Sequence, residues 1–538
     1  MRKPRLFVVA SLALALPFGC APAREQTRPT APVASTAAPS PDEGGDAAGA
    51  PAEKAPRREV RLLFTTDEHG WLRPLEDEEA KVERGGLVTL AERLRKEGLG
   101  QPHVALISVG DMWTGPYETT VLEGEPMVAA MNHLGYRATV VGNHEFDFGL
   151  RVLERRQSEA RFPFLAANLR EAATGRSPSW AKPSALLEVG GVRFGVVGLA
   201  NTDTPLVTDP RHLAGLEFLP YADTLREEVP KLRAAGAEQI LVLLHDRIAV
   251  ANELTGLLRE LGVHVVGVGH AHNSGMRIDP GETPDDKGDD VVLCNGGAYM
   301  RSYCRIDLAF EGNDLVDRAV NVLPVEKPVG AAVQDPDPVL TKIVEDADAR
   351  ANKLGREVLV AAPKTITRKS GALAQLVVDS WVEALPYVDA ALTNAGGLRQ
   401  DLRRGDVAVR DVVSVMPFNN YLLVVDLTGA QLKEALENPE AVAAGVRFTY
   451  RQQKDGSRVI ESLLDKQGKP IDPARKLRVV VNDFMYRGGD SFRFKEHDPE
   501  PEETALDWRE PLFRKLRTLG GAKKKLEVTA DDRAKKVQ

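Results

Sequence analysis

The chain has 538 residues, 43% hydrophobic and 28% charged, a globular composition with material for about two to four domains. Its 78 acidic residues exceed its 70 basic ones, and apart from a short lysine-rich tail it carries no basic block, which argues against a nucleic-acid polymer as partner. One apolar run draws attention as a membrane segment, and it is short and N-terminal, so the reading excludes an integral membrane protein.

That run, Leu6 to Phe18, follows Arg2, Lys3 and Arg5, the charged-then-apolar pattern of a secretory signal. It meets Gly19-Cys20, which resembles a bacterial lipoprotein box, although Pro17 stands where such a box usually has leucine. The pattern favours a lipoprotein anchored through Cys20 over a soluble exported form. Residues 1–20 are therefore expected to be a signal peptide and 21–57 a disordered tether: half of Ala21–Pro56 is Ala or Pro, and Val33 is the one large apolar side chain. Coil statistics give such a tether a reach of roughly 35 Å. Cys294 and Cys304 are expected to flank a hairpin, Val291–Cys294 with Tyr303–Leu308; a disulfide is geometrically feasible there, and two buried free thiols are the favoured reading.

From Arg61 short β-rich runs alternate with amphipathic helices. Leu62–Thr65, Val104–Val109, Ala138–Val141, Phe194–Leu199, Ile240–Leu244 and Val263–Val268 read as strands. Leu87–Glu97 reads as a helix with Leu87, Leu90, Ala91 and Leu94 on one face. This is the pattern of a layered α/β domain, expected over 58–325. Polar clusters follow five of the strands: Asp67-Glu68-His69, Gly110-Asp111, Gly142-Asn143-His144-Glu145-Phe146-Asp147, His245, and Gly269-His270-Ala271-His272. Open α/β sheets bind ligands beyond the carboxyl ends of their strands, so the five clusters converge.

Two carboxylates, a carboxamide and four imidazoles suit a pair of divalent transition metals, with His144 standing beside them. Asp111, alone after a glycine, is the natural bridge between two ions. A single Asp-x-His is ordinarily a turn, and Gly-Asp alone says little; all five clusters in order after strands are selective. His103, His133, His212, His264 and His497 fit no such pattern and are assigned no role.

Asp67-x-His69, Gly110-Asp111, Gly142-Asn143-His144-Glu145, His245 and Gly269-His270-x-His272 resemble the calcineurin-like metallophosphoesterases. With Arg84-Gly85-Gly86 and the stretch from Met131-Asn132 to Gly149, the longer match resembles the bacterial 5′-nucleotidase family. The resemblance implies a four-layer α/β/β/α metallophosphoesterase domain, a linking helix and a second α/β nucleotide-binding domain. It implies that Asp67, His69, Asp111 and His272 hold one metal, and Asp111, Asn143, His245 and His270 the other. His144 becomes the catalytic histidine and Asp147 its orienting partner. The sequence departs from the family at Arg247, where glycine is common, which leaves the backbone after His245 open.

Val333–Glu357 reads as a long helix joining the domains, within a linking segment 326–357, and a second α/β pattern runs over 358–520, with a helix at Ala372–Glu383, a strand at Asp389–Leu392 and a charged tail over 521–538. Thr393-Asn394-Ala395-Gly396-Gly397-Leu398-Arg399 is a Gly-rich turn ending in arginine, suited to an anion. Met416-Pro417-Phe418-Asn419-Asn420 and Phe484-Met485-Tyr486-Arg487-Gly488-Gly489-Asp490 set a phenylalanine beside a polar turn, where a ring can serve as core or offer its face to a base. By the family resemblance Phe418 and Phe484 sandwich the base, Asp490 binds ribose hydroxyls, and Asn394 and Arg399 reach the base edge and phosphate side. Arg368 is a candidate phosphate ligand, with its register ambiguous by one residue.

The expected function is a metal-dependent phosphomonoesterase acting on nucleoside 5′-monophosphates. In it, two ions (manganese, zinc, iron or cobalt) generate a bound hydroxide for in-line attack on phosphorus. The same ligands would serve a 2′,3′-cyclic-nucleotide phosphodiesterase, a nucleotide-sugar hydrolase, or a sulfur-oxidation enzyme of this fold. The rival of another class is a nucleotide-binding surface lipoprotein without turnover. A small-molecule nucleotide is the expected partner, with no protein partner implied and the membrane reached through the lipid anchor alone. The resemblance also implies that rotation about the linking helix carries substrate to metal.

Overall fold

The structure is a computed structural model that describes residues 56–77, 80–281, 289–454, 456–528 and 530–537. The signal peptide, Cys20 and nearly all of the tether lie outside the described residues. Two six-stranded sheets stack face to face. The first runs, in spatial order, Asp314–Pro324, Ser302–Glu311, Arg57–Thr65, Val104–Ser108, Thr139–Val140 and Phe164–Leu165. The second runs Gly275–Asp279, Val291–Asn295, Val263–Val268, Gln239–Leu244, Val192–Leu199 and Ser184–Val189.

Their central strands pair in parallel and read as continuous apolar runs because both faces are covered. Phe64, Ile107, Val140, Leu241, Leu243 and Val265 fill the space between the sheets. Helices cover each outer face: Leu87–Lys96 and Glu125–Leu134 pack over the first sheet, and Tyr221–Ala234 over the second. This is the expected four-layer α/β/β/α arrangement. Its first strand begins at Arg57, one residue before the boundary drawn from the sequence.

Two corrections concern the cysteines. Val291–Asn295 lies in the second sheet and Ser302–Glu311 in the first, so they are not a hairpin. The connection crosses from one sheet to the other, and Cys294 and Cys304, both fully buried between the sheets, are joined as a disulfide with Cα atoms 6.2 Å apart. Strand alternation pointed both thiols into the same inter-sheet space, which a hairpin reading could not anticipate.

The linking helix starts at Pro338 rather than Val333 and ends at Gly355. Asp337 sets the start, because its carboxylate accepts the amides of Val339 and Leu340 and a proline follows it. Leu340, Val344 and Ala347 bury against the first domain. The second domain centres on a five-stranded sheet ordered Ala441–Ala444, Ala390–Asn394, Lys476–Asn482, Tyr421–Thr428 and Glu502–Asp507. Helix Ala372–Ala384 covers one face and Gly429–Glu437 the other. The second domain does not stop at residue 520, and part of the expected charged tail belongs to it. Leu526 is buried in this domain's core, and Ala534–Lys536 adds a strand alongside Val446–Gln452.

Among the described residues, no helix is long and apolar enough to cross a membrane.

Candidate active site

Each polar cluster sits at the carboxyl end of a parallel strand, three from the first sheet and two from the second. Backbone geometry aims them. Asp67, His69, Asp111, His270 and His272 all take positive φ, between 45° and 68°. That region costs a residue with a Cβ roughly 1–2 kcal/mol, and five such residues around one point mark a functional cluster. Gly110 also has positive φ, 88°, and a Cβ there would lie 2.7 Å from His245 Nδ1. Gly142 is required by proximity, since a Cβ would fall 2.3 Å from Asp111 Oδ1.

The imidazoles are fixed by what their outer nitrogens touch. His69 Nδ1–H donates to the Thr114 carbonyl at 2.9 Å, and His245 Nδ1–H to the Val109 carbonyl at 2.6 Å. A carbonyl only accepts, so in each neutral ring Nε2 carries a lone pair into the cluster. There His69 Nε2 lies 2.9 Å from His272 Nε2, and His245 Nε2 lies 3.1 Å from Asp111 Oδ2. Asp67 Oδ1 is buried without a hydrogen-bond partner, and Asp111 Oδ2 and His245 Nε2 are buried with only each other within reach. Leaving such groups unsatisfied costs about 1–3 kcal/mol each, more for charged ones.

Acceptors crowded together in a dry site fit cations. Two ligand groups emerge, Asp67, His69, Asp111 and His272, and Asp111, His245 and His270, with Asp111 common to both. Asn143 joins the second, its Oδ1 lying 3.0 Å from His270 Nδ1. The residues present thus fit two divalent metal ions sharing one carboxylate.

Electrostatics point the same way. Burial raises the Asp111 carboxyl, but His245, His144 and His69 outweigh burial and hold it well below the usual carboxylate range. Burial disfavours charge on His245, yet Asp111 and Asp67 push its pKa up to about 10, a sign that positive charge is called for at that point. Glu145, quoted in the sequence motif without a role, accepts the amides of Asp111, Met112 and Gly142 and so ties two ligand loops together. Burial and the Asp111 charge raise it to about 7.

His144 stands at the edge of this cluster. Its amide donates to Asp111 Oδ1 at 2.8 Å, and its Nδ1 meets Asp147 Oδ2 at 2.7 Å, leaving Nε2 free. Burial lowers the pKa of the ring, but Asp147 and Asp111 reverse this and raise it. Across from it lies Phe418 of the second domain, with ring centroids 5.8 Å apart and planes 19° from parallel.

A cavity of about 290 Å³ opens between the two. Asp111, Asn143, His144, Asp147, His270 and His272 line it from one side, and Asn394, Arg399, Phe418, Phe484 and Asp490 from the other. Asp67, His69 and His245 are buried next to it. Arg399 reaches across the domain boundary to within 3.4 Å of His69 Nε2. Asn394 donates to Asp490 Oδ2 at 2.7 Å and accepts from Asn482 at 3.0 Å. Asn394 and Asn482 end two parallel strands, so the second domain also gathers its polar groups at carboxyl ends. Asp490 is raised to about 6 by burial and by Glu440, against the Asn394 hydrogen bond and Arg399.

Three placements differ from the sequence reading. Arg368 is not among the cavity residues: its guanidinium donates to the Leu398 carbonyl at 2.7 Å, and its backbone amide to Asp401. His212, given no role from the sequence, lines the cavity, as does Arg211, which binds Asp483 of the second domain at 3.0 Å. Arg247 takes φ −63° and ψ 147°, a conformation open to any residue, so the departure from glycine leaves the backbone after His245 undisturbed. Asn482 and Arg211 had no motif to announce them.

Residues 353–496 match the 5′-nucleotidase C-terminal domain. The chain is 26% identical over 491 residues to Protein UshA of Yersinia enterocolitica, covering 82% of this chain and 87% of the relative. The C-terminal part of the chain matches the 5′-nucleotidase C-terminal domain, and the similarity to 5′-nucleotidase relatives runs over most of its length. The fold superposes on that of a 5′-nucleotidase precursor from Thermus thermophilus with a TM-score of 0.76 at 24% identity, over 89% of this chain and 99% of the other. It also superposes on the sulfate thiohydrolase SoxB of Thermus thermophilus, TM-score 0.72 at 18% identity, over 91% and 98%. The fold is therefore shared by enzymes of different chemistry, and the cavity has to distinguish them.

Proposed function

We propose that the chain hydrolyses nucleoside 5′-monophosphates to nucleoside and phosphate. The observation that supports this most is the single cavity shared by the metal-ligand cluster and an aromatic, carboxylate-bearing wall from the second domain. Asp67, His69, Asp111 and His272 would hold one divalent ion, and Asp111, Asn143, His245 and His270 the other. Such ions polarise phosphoryl oxygens and activate water at neutral pH.

The chain's own residues do the rest. His144, with Nδ1 held by Asp147, presents Nε2 toward the cavity to stabilise the transferring phosphoryl group or protonate the leaving 5′-oxygen. Arg399 supplies positive charge on the phosphate side. Phe418 and Phe484 offer ring faces to the base, and Asp490 accepts hydrogen bonds from ribose hydroxyls, with Asn394 holding its carboxylate. Binding at this remote wall orients the ester for reaction. Phe418 and Phe484 favour a nucleotide over the substrate of a thiohydrolase.

On this reading residues from about 58 to 325 form the metal-binding domain and residues from 358 to Lys536 the substrate domain, and the chain is exported with an anchor at Cys20. A relative from Listeria monocytogenes, 25% identical over 525 residues, is named as a cell wall protein, which fits an exported chain. The test is phosphate release from a panel after chelation and return of manganese: AMP, other nucleoside monophosphates, 2′,3′-cyclic AMP, UDP-glucose and an aryl phosphate. Metal-dependent release strongest with 5′-monophosphates is expected. Release from the aryl phosphate alone would remove the nucleoside reading, and metal uptake without turnover would make the chain a binding protein.

A further inference from the structure

The crossover between Cys294 and Cys304 passes directly against the first group of metal-ligand candidates. Tyr299 lies at its centre, with its amide donating to the Asp67 carbonyl at 2.8 Å. Its hydroxyl is 3.1 Å from His272 Nδ1. Its ring packs against His69 at 5.5 Å, His272 at 5.2 Å and Trp71 at 5.2 Å between centroids, and the Arg301 guanidinium covers it at 5.0 Å. The same crossover reaches the other ligand loop, where Asn295 Nδ2 donates to the Gly269 carbonyl at 3.3 Å.

We propose that Tyr299, held by the disulfide-closed crossover, is a positioning residue for the metal at Asp67, His69, Asp111 and His272. The inference rests on the metal reading above. His272 Nε2 points at His69 Nε2, so it can act as a ligand only if the proton resides on Nδ1. The Tyr299 hydroxyl is the acceptor for that proton, and it fixes both the tautomer and the angle of the ring. Holding Tyr299 there is conformationally unfavourable, because Tyr299 and Met300 both take positive φ, 62° and 56°. A disulfide ten residues long, rooted in both sheets, restrains the segment at its two ends. The Ser302 hydroxyl bonds the Gly296 carbonyl at 2.5 Å and closes the inner turn.

Tyr299 touches one ligand group and not the other, which makes the inference site-selective. The test uses the full chain, stripped of metal and titrated with Co²⁺ or Mn²⁺ alone, read by competition with a chelating dye and by the visible spectrum of Co²⁺. Tyr299→Phe should weaken one of two equivalents about 10–100-fold and change the spectrum of that equivalent. The other equivalent should keep its affinity. Cys294→Ala/Cys304→Ala should shift the same equivalent in the same direction, and Tyr387→Phe, on the far surface, should shift neither. Two equivalents of unchanged affinity and spectrum in Tyr299→Phe would overturn the inference while leaving the metal reading intact. A wild-type chain that takes up no metal would overturn both. Should the cysteine variant not fold, Tyr299→Phe still decides, because it keeps the ring and removes a single oxygen.

Discussion

The two walls of the cavity are built in opposite ways. On the first-domain side five of the seven ligand candidates are buried and His270 and His272 are half-buried, five of seven have left-handed backbone, and the outer ring nitrogens of His69 and His245 are committed to backbone carbonyls. On the second-domain side Phe418, Phe484, Asp490 and Arg399 are half-exposed, and their placement relies on a few side-chain bonds such as Asn394 to Asp490. One wall is held by its own backbone and buried hydrogen bonds, and the other leaves surface free to meet a ligand. Chemistry that moves a phosphoryl group needs fixed charges at fixed distances. Selection of a base and a ribose needs accessible ring faces and acceptors instead.

The largest effect should come from the first-domain wall. His144→Ala should lower kcat about 10²–10⁴-fold on every phosphate ester, aryl phosphate included, with metal content unchanged, measured by steady-state phosphate release. Phe484→Ala should break the comparison from the other side. Loss of a stacking face worth about 1–3 kcal/mol raises KM for AMP by roughly 5–150-fold. The aryl phosphate, which lacks the nucleoside, should be turned over as before.

A smaller effect follows from Asp490, raised to about 6 chiefly by burial. Glu440 adds to the rise, and Arg399 and the Asn394 amide oppose it. In the proposed role its ionised form accepts ribose hydroxyls, so nucleoside affinity should be full well above pH 6 and fall toward tenfold per unit below it. Adenosine binding by calorimetry is the proper readout, since a nucleotide's own phosphate titrates near pH 6. The Asp490→Asn variant should bind weakly with little dependence on pH. The smallest effect is expected at Arg247, whose backbone needs no glycine and whose guanidinium meets exposed Asp203. Arg247→Gly should leave kcat/KM for AMP within about twofold and stability within about 0.5–1 kcal/mol.

The contrast also explains what the sequence disclosed. Ligand clusters such as Asp67-x-His69 and Gly142-Asn143-His144-Glu145 follow apolar runs that could only be buried parallel strands, so their convergence follows from topology. The helix Leu87–Lys96 was legible for the same reason, one apolar face per turn. Phe418 and Phe484 lacked such a signal, because a phenylalanine in a core and one on a binding wall read alike. Their placement depended on resemblance, and Arg368, carried over by the same route, does not line the cavity.

The left-handed φ of Asp67, His69 and His272 was hidden because no glycine marks it. The bridge between Cys294 and Cys304 was hidden because local pattern does not say which sheet a strand joins. The start of the linking helix was misplaced because the Asp337 cap and Pro338 were outweighed by apolar spacing further along.

One cavity joins the metal-ligand cluster to the proposed nucleoside wall. That joint role is tested most directly by the AMP-to-aryl-phosphate ratio of kcat/KM in wild type, His144→Ala and Phe484→Ala, each reloaded with manganese after chelation. His144→Ala should lower both activities together and keep the ratio, whereas Phe484→Ala should collapse the ratio toward that of a general phosphatase. A ratio unmoved by Phe484→Ala would contradict the account, because the second domain's wall would then have no part in choosing the substrate.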